Sequence, residues 1–369
     1  MSKLQDLSKA GTAVWLDFVD RKFLAQGGLQ QLVDKDGLTG VTSNPTIFEK
    51  AMGAGDAYDE GFAEFDRANP GAEPMARYEA QAIKDIQAAC DTLLPVYQRL
   101  DAADGYVSLE VSPYLALKGP ETAEEADRLW EAVDRPNLMI KIPGTDDGVR
   151  AIRDTIAKGI NVNVTLLFGV EAYKQVAHAY VEGLEERVEK GLSINNIASV
   201  ASFFVSRIDS KIDDKIDAGV GGEEAKALKG KVAIANAKLA YAWYEDFIAS
   251  ERWQKLAAKG ARPQRLLWAS TGTKNPDYPD TLYVDQLIGP DTVNTMPPKT
   301  MDAFRERGTV AQTLQQDVDD ARHVIAEQAR LGLDLDGVTK QLVEEGVASF
   351  SKSFDDLLAV IQSKQPAAA

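Results

Sequence analysis

One lysine interrupts the apolar run NLMIKIPGT at 137–145, with Leu138, Met139, Ile140 and Ile142 around Lys141. A buried ammonium is costly unless it is paired or gives up its proton, and the neutral amine is a nucleophile toward a carbonyl carbon. Other apolar runs are interrupted in the same way. Asp17 falls in AVWLDFV (13–19), Asn44 just after LTGVT (38–42) and Glu110 late in GYVSLEV (105–111). Asn163 and Thr165 fall in INVNVTLLF (160–168), Ser202 in IASVASFFV (197–205), and Ser270 ends RLLWAS (265–270). Two carboxylates beside such a lysine can move protons while the amine holds a ketone as an imine. That is equipment for Schiff-base aldol chemistry with neither metal nor cofactor.

Each residue also has a plainer use, and local sequence leaves both open. Asn44 precedes Pro45 and fits an N-cap followed by proline at the first helical position. Asp17 or Glu110 can pair with Lys141 as a buried ion pair. Lys141 can extend its stem toward water, and Ser202 and Ser270 can bond to nearby backbone.

The elements that must position these residues alternate. The runs above, with LMIKIP (138–143) and TVNTMP (292–297), make eight short apolar segments separated by helical patterns. Strands alternating with helices pair in parallel, and eight such units predict an α/β fold, a single (β/α)8 TIM barrel. In that architecture the site is built at the C-terminal ends of the strands, which is where most of the polar interruptions lie. Thr122 with Glu125 predicts a capping box, and Thr145 a cap for a helix ending at Lys158 and Gly159. Additional helices are expected near 56–100 and 206–259 and over 338–364, within one domain spanning 1–369. Only QPAAA at 365–369 reads as low complexity.

Composition narrows the function classes. The 369 residues carry a formal net charge of −16, which argues against a broad nucleic-acid or acidic-membrane surface. No apolar run approaches the roughly 20 residues of a membrane span, and Asp17 and Asp20 break the N-terminal stretch as a signal peptide. Cys90 is the single cysteine, spaced with Ile83, Ile86, Leu93 and Leu94 as a core thiol, so a reducing cytoplasm is expected. The two histidines, His178 and His323, lie far from any Cys or His partner, and no metal site is expected.

The segments LTGVTSNPTIFEKAM (38–52), NLMIKIPGTDDGVRAI (137–152) and GINVNVTLLF (159–168) resemble the signature segments of the transaldolase family in its longer bacterial form. The resemblance runs in order from Asp17 to at least Ser270. It implies transfer of a dihydroxyacetone unit from sedoheptulose 7-phosphate to glyceraldehyde 3-phosphate, giving erythrose 4-phosphate and fructose 6-phosphate, in the non-oxidative pentose phosphate pathway. By the family's pattern Lys141 forms the Schiff base. Glu110, through a water held with Thr165, shuttles protons, and Asp17 takes the C4 hydroxyl proton. Asn44 and Asn163 hold the hydroxyls of the three-carbon fragment, with Ser202 helping, and Arg207 binds phosphate. Shorter family members carry a second arginine two residues after the serine at Ser270. Here that position is Gly272, and Lys274 is the nearest cation. Phe204 stands where the related fructose 6-phosphate aldolases tend to place a tyrosine, which implies a transferase. No cofactor is implied, and phosphorylated sugars are the expected partners of a monomer or homodimer. The competing readings are a fructose 6-phosphate aldolase, which would turn over without an acceptor aldehyde, and a catalytically silent sugar-phosphate-binding barrel, in which Lys141 would show ordinary reactivity.

Overall fold

Every predicted apolar run contains a strand in the computed structural model, which describes residues 2–364 and so leaves QPAAA outside the described residues. The strands are β1 (Thr12–Asp17), β2 (Gly40–Thr42), β3 (Tyr106–Glu110), β4 (Leu138–Pro143), β5 (Val162–Leu167), β6 (Ser199–Phe204), β7 (Arg265–Ala269) and β8 (Thr292–Met296). They pair in parallel, in sequence order, and β8 closes on β1 as a barrel. β4, β5 and β6 are buried at every position, as expected where helices cover one face of a strand and the barrel interior the other.

Register brings the chemistry-bearing residues level. Glu110 lies opposite Lys141 and Lys141 opposite Asn163 across β3, β4 and β5, while Asp17 lies opposite Thr42 across β1 and β2. Asn163 is only the second residue of β5, yet the stagger of a closed barrel sets it beside residues at or near the ends of other strands. β5 is irregular further on. Its register with β6 shifts between Val164 and Leu167, and Leu166 takes a left-handed backbone with φ of 60°. A branched side chain there is strained by about 1–3 kcal/mol, a cost usually met near functional sites.

The predicted helices form, with one correction. Thr145 caps Asp146–Lys158 by accepting from Gly148 N at 3.1 Å, and Gly159 ends that helix with φ of 94°. Thr122 is not a cap. The helix begins three residues earlier, at Gly119, and the Thr122 hydroxyl donates instead to Leu115 O at 2.7 Å. The additional helices include Asp59–Ala68, Pro74–Arg99, Ser206–Asp217, Val232–Ala249 and Glu251–Ala257. The Leu335–Ser363 helix packs against Pro45–Gly53, Pro74–Arg99 and Ser206–Asp217, and also touches β5. Its Gly346 sits over the irregular turn of β5, where a Cβ would come within 2.7 Å of Leu166 Cδ2. This helix carries Phe350 to the mouth of the barrel.

The opposite, N-terminal end of the interior is filled. Asp104, just before β3, receives Trp15 Nε1 at 2.9 Å, Gly105 N at 2.9 Å, Thr39 Oγ1 at 3.0 Å and Arg265 Nη1 at 3.1 Å. The Trp15 ring takes the space beside Gly40, where a Cβ would lie 2.2 Å from the indole.

Candidate active site

Lys141 does not reach for water. The residue is 4% exposed, and its ammonium donates to Ser43 O at 3.1 Å and lies 3.3 Å from Glu110 Oε2. The ion pair of the plainer reading is therefore present, but it is incomplete. Beyond this 3.3 Å contact, neither buried Glu110 oxygen has a hydrogen-bond partner among the described residues. Burial pushes the Glu110 carboxyl above the usual range; the Lys141 charge opposes this and Asp17 adds to it. Thr165 Oγ1 is likewise buried without a partner. A saturated structural pair would leave no such atoms.

A cavity of about 490 Å3 opens from Lys141 to the C-terminal mouth. Asp17, Asn44, Ser202, Phe204, Arg207, Ser270 and Lys274 line it with Lys141, so eight of the eleven predicted site residues share one wall. Glu110, Thr165 and Asn163 do not line it. Asn163 is fully buried and both its amide atoms are engaged: Oδ1 accepts from Ser202 Oγ at 2.7 Å, and Nδ2 donates to Ser108 Oγ at 2.9 Å. Asn44 fulfils both of its alternatives, accepting from Ile47 N at 3.0 Å as the cap of Pro45–Gly53 while facing the cavity. Ser270 also does both. Its hydroxyl bonds Ser206 Oγ at 2.9 Å, and its left-handed backbone, φ of 54°, turns the chain at the cavity wall.

Asp17 accepts from Thr42 Oγ1 at 2.7 Å through Oδ1 alone. Burial raises its carboxyl, while the charges of Lys141 and Arg207 and the Thr42 bond hold it down. Arg207, in the first turn of Ser206–Asp217, lays its guanidinium 5.1 Å from the centre of the Phe204 ring. Among the described residues its side chain makes no hydrogen bond or ion pair, and neither do those of Lys274 and Lys299, which share the cavity wall. Three cations without a hydrogen bond or ion pair, in a chain of net charge −16, suit an anionic end of a ligand.

Comparison with known proteins fits this geometry. The family model described as transaldolase/fructose-6-phosphate aldolase matches residues 14–361. That span takes in most of β1, the other seven strands and the helix bearing Phe350. A protein named transaldolase from Frankia alni is 50% identical, covering 97% of this chain and 96% of its own. One of the same name from Thiobacillus denitrificans is 47% identical over 98% and 100%, and one from Mycobacterium tuberculosis is 47% identical over 96% and 95%. The chain belongs to the transaldolase/fructose-6-phosphate aldolase family.

For a member of this family the departure at Gly272 now has a steric setting. A Cβ at Gly272 would come within 2.8 Å of Thr300 Oγ1, so a larger residue there requires Thr300 to move. Thr300 sits in the helix Pro298–Arg307 that follows β8, and the same helix brings Lys299 to the cavity wall. Sequence reading missed Lys299, Thr42, Thr295, Ser108 and Phe350. Thr42 lay inside a quoted segment, and its place at the end of a strand was the available signal. Cys90 is buried, and burial pushes its thiol up, as suits a core thiol. Among the described residues no group of three or more His, Cys, Asp or Glu is arranged around a metal position, and no helix is long and apolar enough to cross a membrane.

Proposed function

We propose that this family member is a transaldolase, moving a dihydroxyacetone unit from sedoheptulose 7-phosphate to glyceraldehyde 3-phosphate through a Schiff base on Lys141. The observation that carries the reading is a buried, incompletely satisfied Lys141–Glu110 pair at 3.3 Å, with Lys141 and Asp17 on one cavity wall. Glu110 stands where it can take the ammonium proton and free the amine for attack on the donor ketone. A water between the unpartnered oxygens of Glu110 and Thr165 would carry protons during imine formation and hydrolysis.

With the iminium formed, Asp17 takes the proton of the C4 hydroxyl. The C3–C4 bonding pair flows into the iminium, an aldehyde leaves, and a three-carbon enamine stays on Lys141. The acceptor aldehyde then reverses these steps. Asn44 and Ser202 hold hydroxyls of the bound fragment, and Asn163 acts through Ser202, whose hydroxyl it orients. Arg207 and Lys274 take the phosphate, Lys274 as a point charge without the fork an arginine would offer. Phe204 offers no hydroxyl at the enamine, which supports transfer over release of free dihydroxyacetone.

Borohydride reduction with fructose 6-phosphate and no acceptor tests the reading. A reduced three-carbon adduct on Lys141, found by peptide mass analysis, is the expected result. Absence of any adduct on folded protein would leave the silent sugar-phosphate-binding barrel. Turnover that needs no acceptor would instead identify a fructose 6-phosphate aldolase.

A further inference from the structure

Behind Asp17 stands a second threonine. Thr42 Oγ1 lies 2.7 Å from Asp17 Oδ1 and 2.7 Å from Thr295 Oγ1, joining the ends of β1, β2 and β8. Thr42 and Thr295 are 1% and 4% exposed, and both line the cavity beside Asp17.

Counting protons gives this chain a direction. An ionised carboxylate has none to donate, so the single hydroxyl proton of Thr42 lies on the contact with Oδ1. Thr42 then has none for Thr295, and the contact between them must be donated by Thr295. The chain runs Thr295 to Thr42 to Asp17. Among the described residues Oδ2 has no donor, and it is left as the oxygen open to the cavity.

We infer that Thr295, acting through Thr42, is a positioning residue that orients the Asp17 carboxylate and leaves Oδ2 to take the substrate's hydroxyl proton. This rests on the Schiff-base reading above. When the C4 hydroxyl proton moves to Oδ2, Oδ1 remains an acceptor and no hydroxyl in the chain has to rotate. The base is held alike in both protonation states, so little reorganisation accompanies C3–C4 cleavage. Branching at the β-carbon stiffens both threonines about χ1, which suits a fixed chain better than serine would. The charged groups that act on Asp17 from neighbouring elements are Lys141 of β4 and Arg207 of the Ser206–Asp217 helix, and Glu110 of β3 is coupled to it. The chain acts alongside them.

The test compares T42V, T42S, T295V and T295S in the full-length protein. T42V should lower kcat for transfer from fructose 6-phosphate by about tenfold or more, the worth of a hydrogen bond to a charged group, with KM nearly unchanged. The acidic limb of its kcat profile should move to higher pH, because the removed bond holds the carboxyl down. T295V should move both in the same direction by about threefold or less, and each serine variant should recover most of the loss. Borohydride on T42V should trap more uncleaved six-carbon adduct on Lys141, since imine formation precedes the step that slows. Valine variants with the wild-type pH profile, or serine variants no better than valine, overturn the inference. Absence of any adduct on wild-type Lys141 brings down the underlying reading as well, and the wild-type control separates the two failures.

Discussion

The two ends of the barrel interior each bury a carboxylate beside a cation, and they treat it oppositely. At the N-terminal end four donors fall on Asp104, among them Arg265, and the Trp15 ring fills the space beside it. At the C-terminal end Glu110 touches Lys141 at 3.3 Å but has no further partner among the described residues, and a cavity of about 490 Å3 opens above the lysine. A buried charge with every lone pair occupied is held in one state, and its use is structural. One left short of partners retains the freedom to exchange a proton.

Replacement of Lys141 by Met should break the comparison most sharply. Transfer activity should fall by more than about 10^4-fold, while near-UV circular dichroism still reports a folded barrel. Asp104→Ala should do the reverse. It strands the Arg265 charge and should cost about 3–5 kcal/mol in urea unfolding, with kcat of the folded fraction unchanged. If Asp104→Ala impairs catalysis without loss of stability, the division between the two ends is mistaken.

Lys299→Met should raise KM for phosphorylated substrates by about three- to tenfold, as expected for loss of one cation from an anion site, and leave kcat and unphosphorylated acceptors untouched. An equal loss on both kinds of substrate would remove Lys299 from the phosphate end. The smallest effect is on stability. Asp17 binds its proton more tightly folded than unfolded, so its contribution falls as pH rises from its ordinary value of 3.8 through the raised folded value. Asp17→Asn should therefore melt higher than wild type at pH 8, and the gain should vanish near pH 3. A lower melting temperature at pH 8 would contradict the sign.

Much of the candidate site was legible because a polar residue in an apolar strand stands out, and barrel topology sends such residues to one mouth. Lys141, Asp17 and Glu110 were visible on that ground. The Asp104 cluster was not, because its partners at 15, 39, 105 and 265 sit in runs with no unusual local pattern. The chain from Thr295 to Asp17 was equally hidden, since threonine in a strand is ordinary and its partner is 253 residues away. Thr122 misled because a capping box depends on where the backbone enters the helix, which its four residues do not decide. Lys299 was not singled out, since it lies just past TVNTMP behind two prolines and no local pattern marks it.

The helix that brings Phe350 to the mouth is made after β8, so all eight strands leave the ribosome before that part of the cavity wall exists. A nascent barrel passes through a stage in which Lys141 lacks its Phe350 cover and Leu166 lacks Gly346. Translation order thus delivers last the segment that completes the chamber wall, and the irregular turn of β5 is where that segment meets the strands.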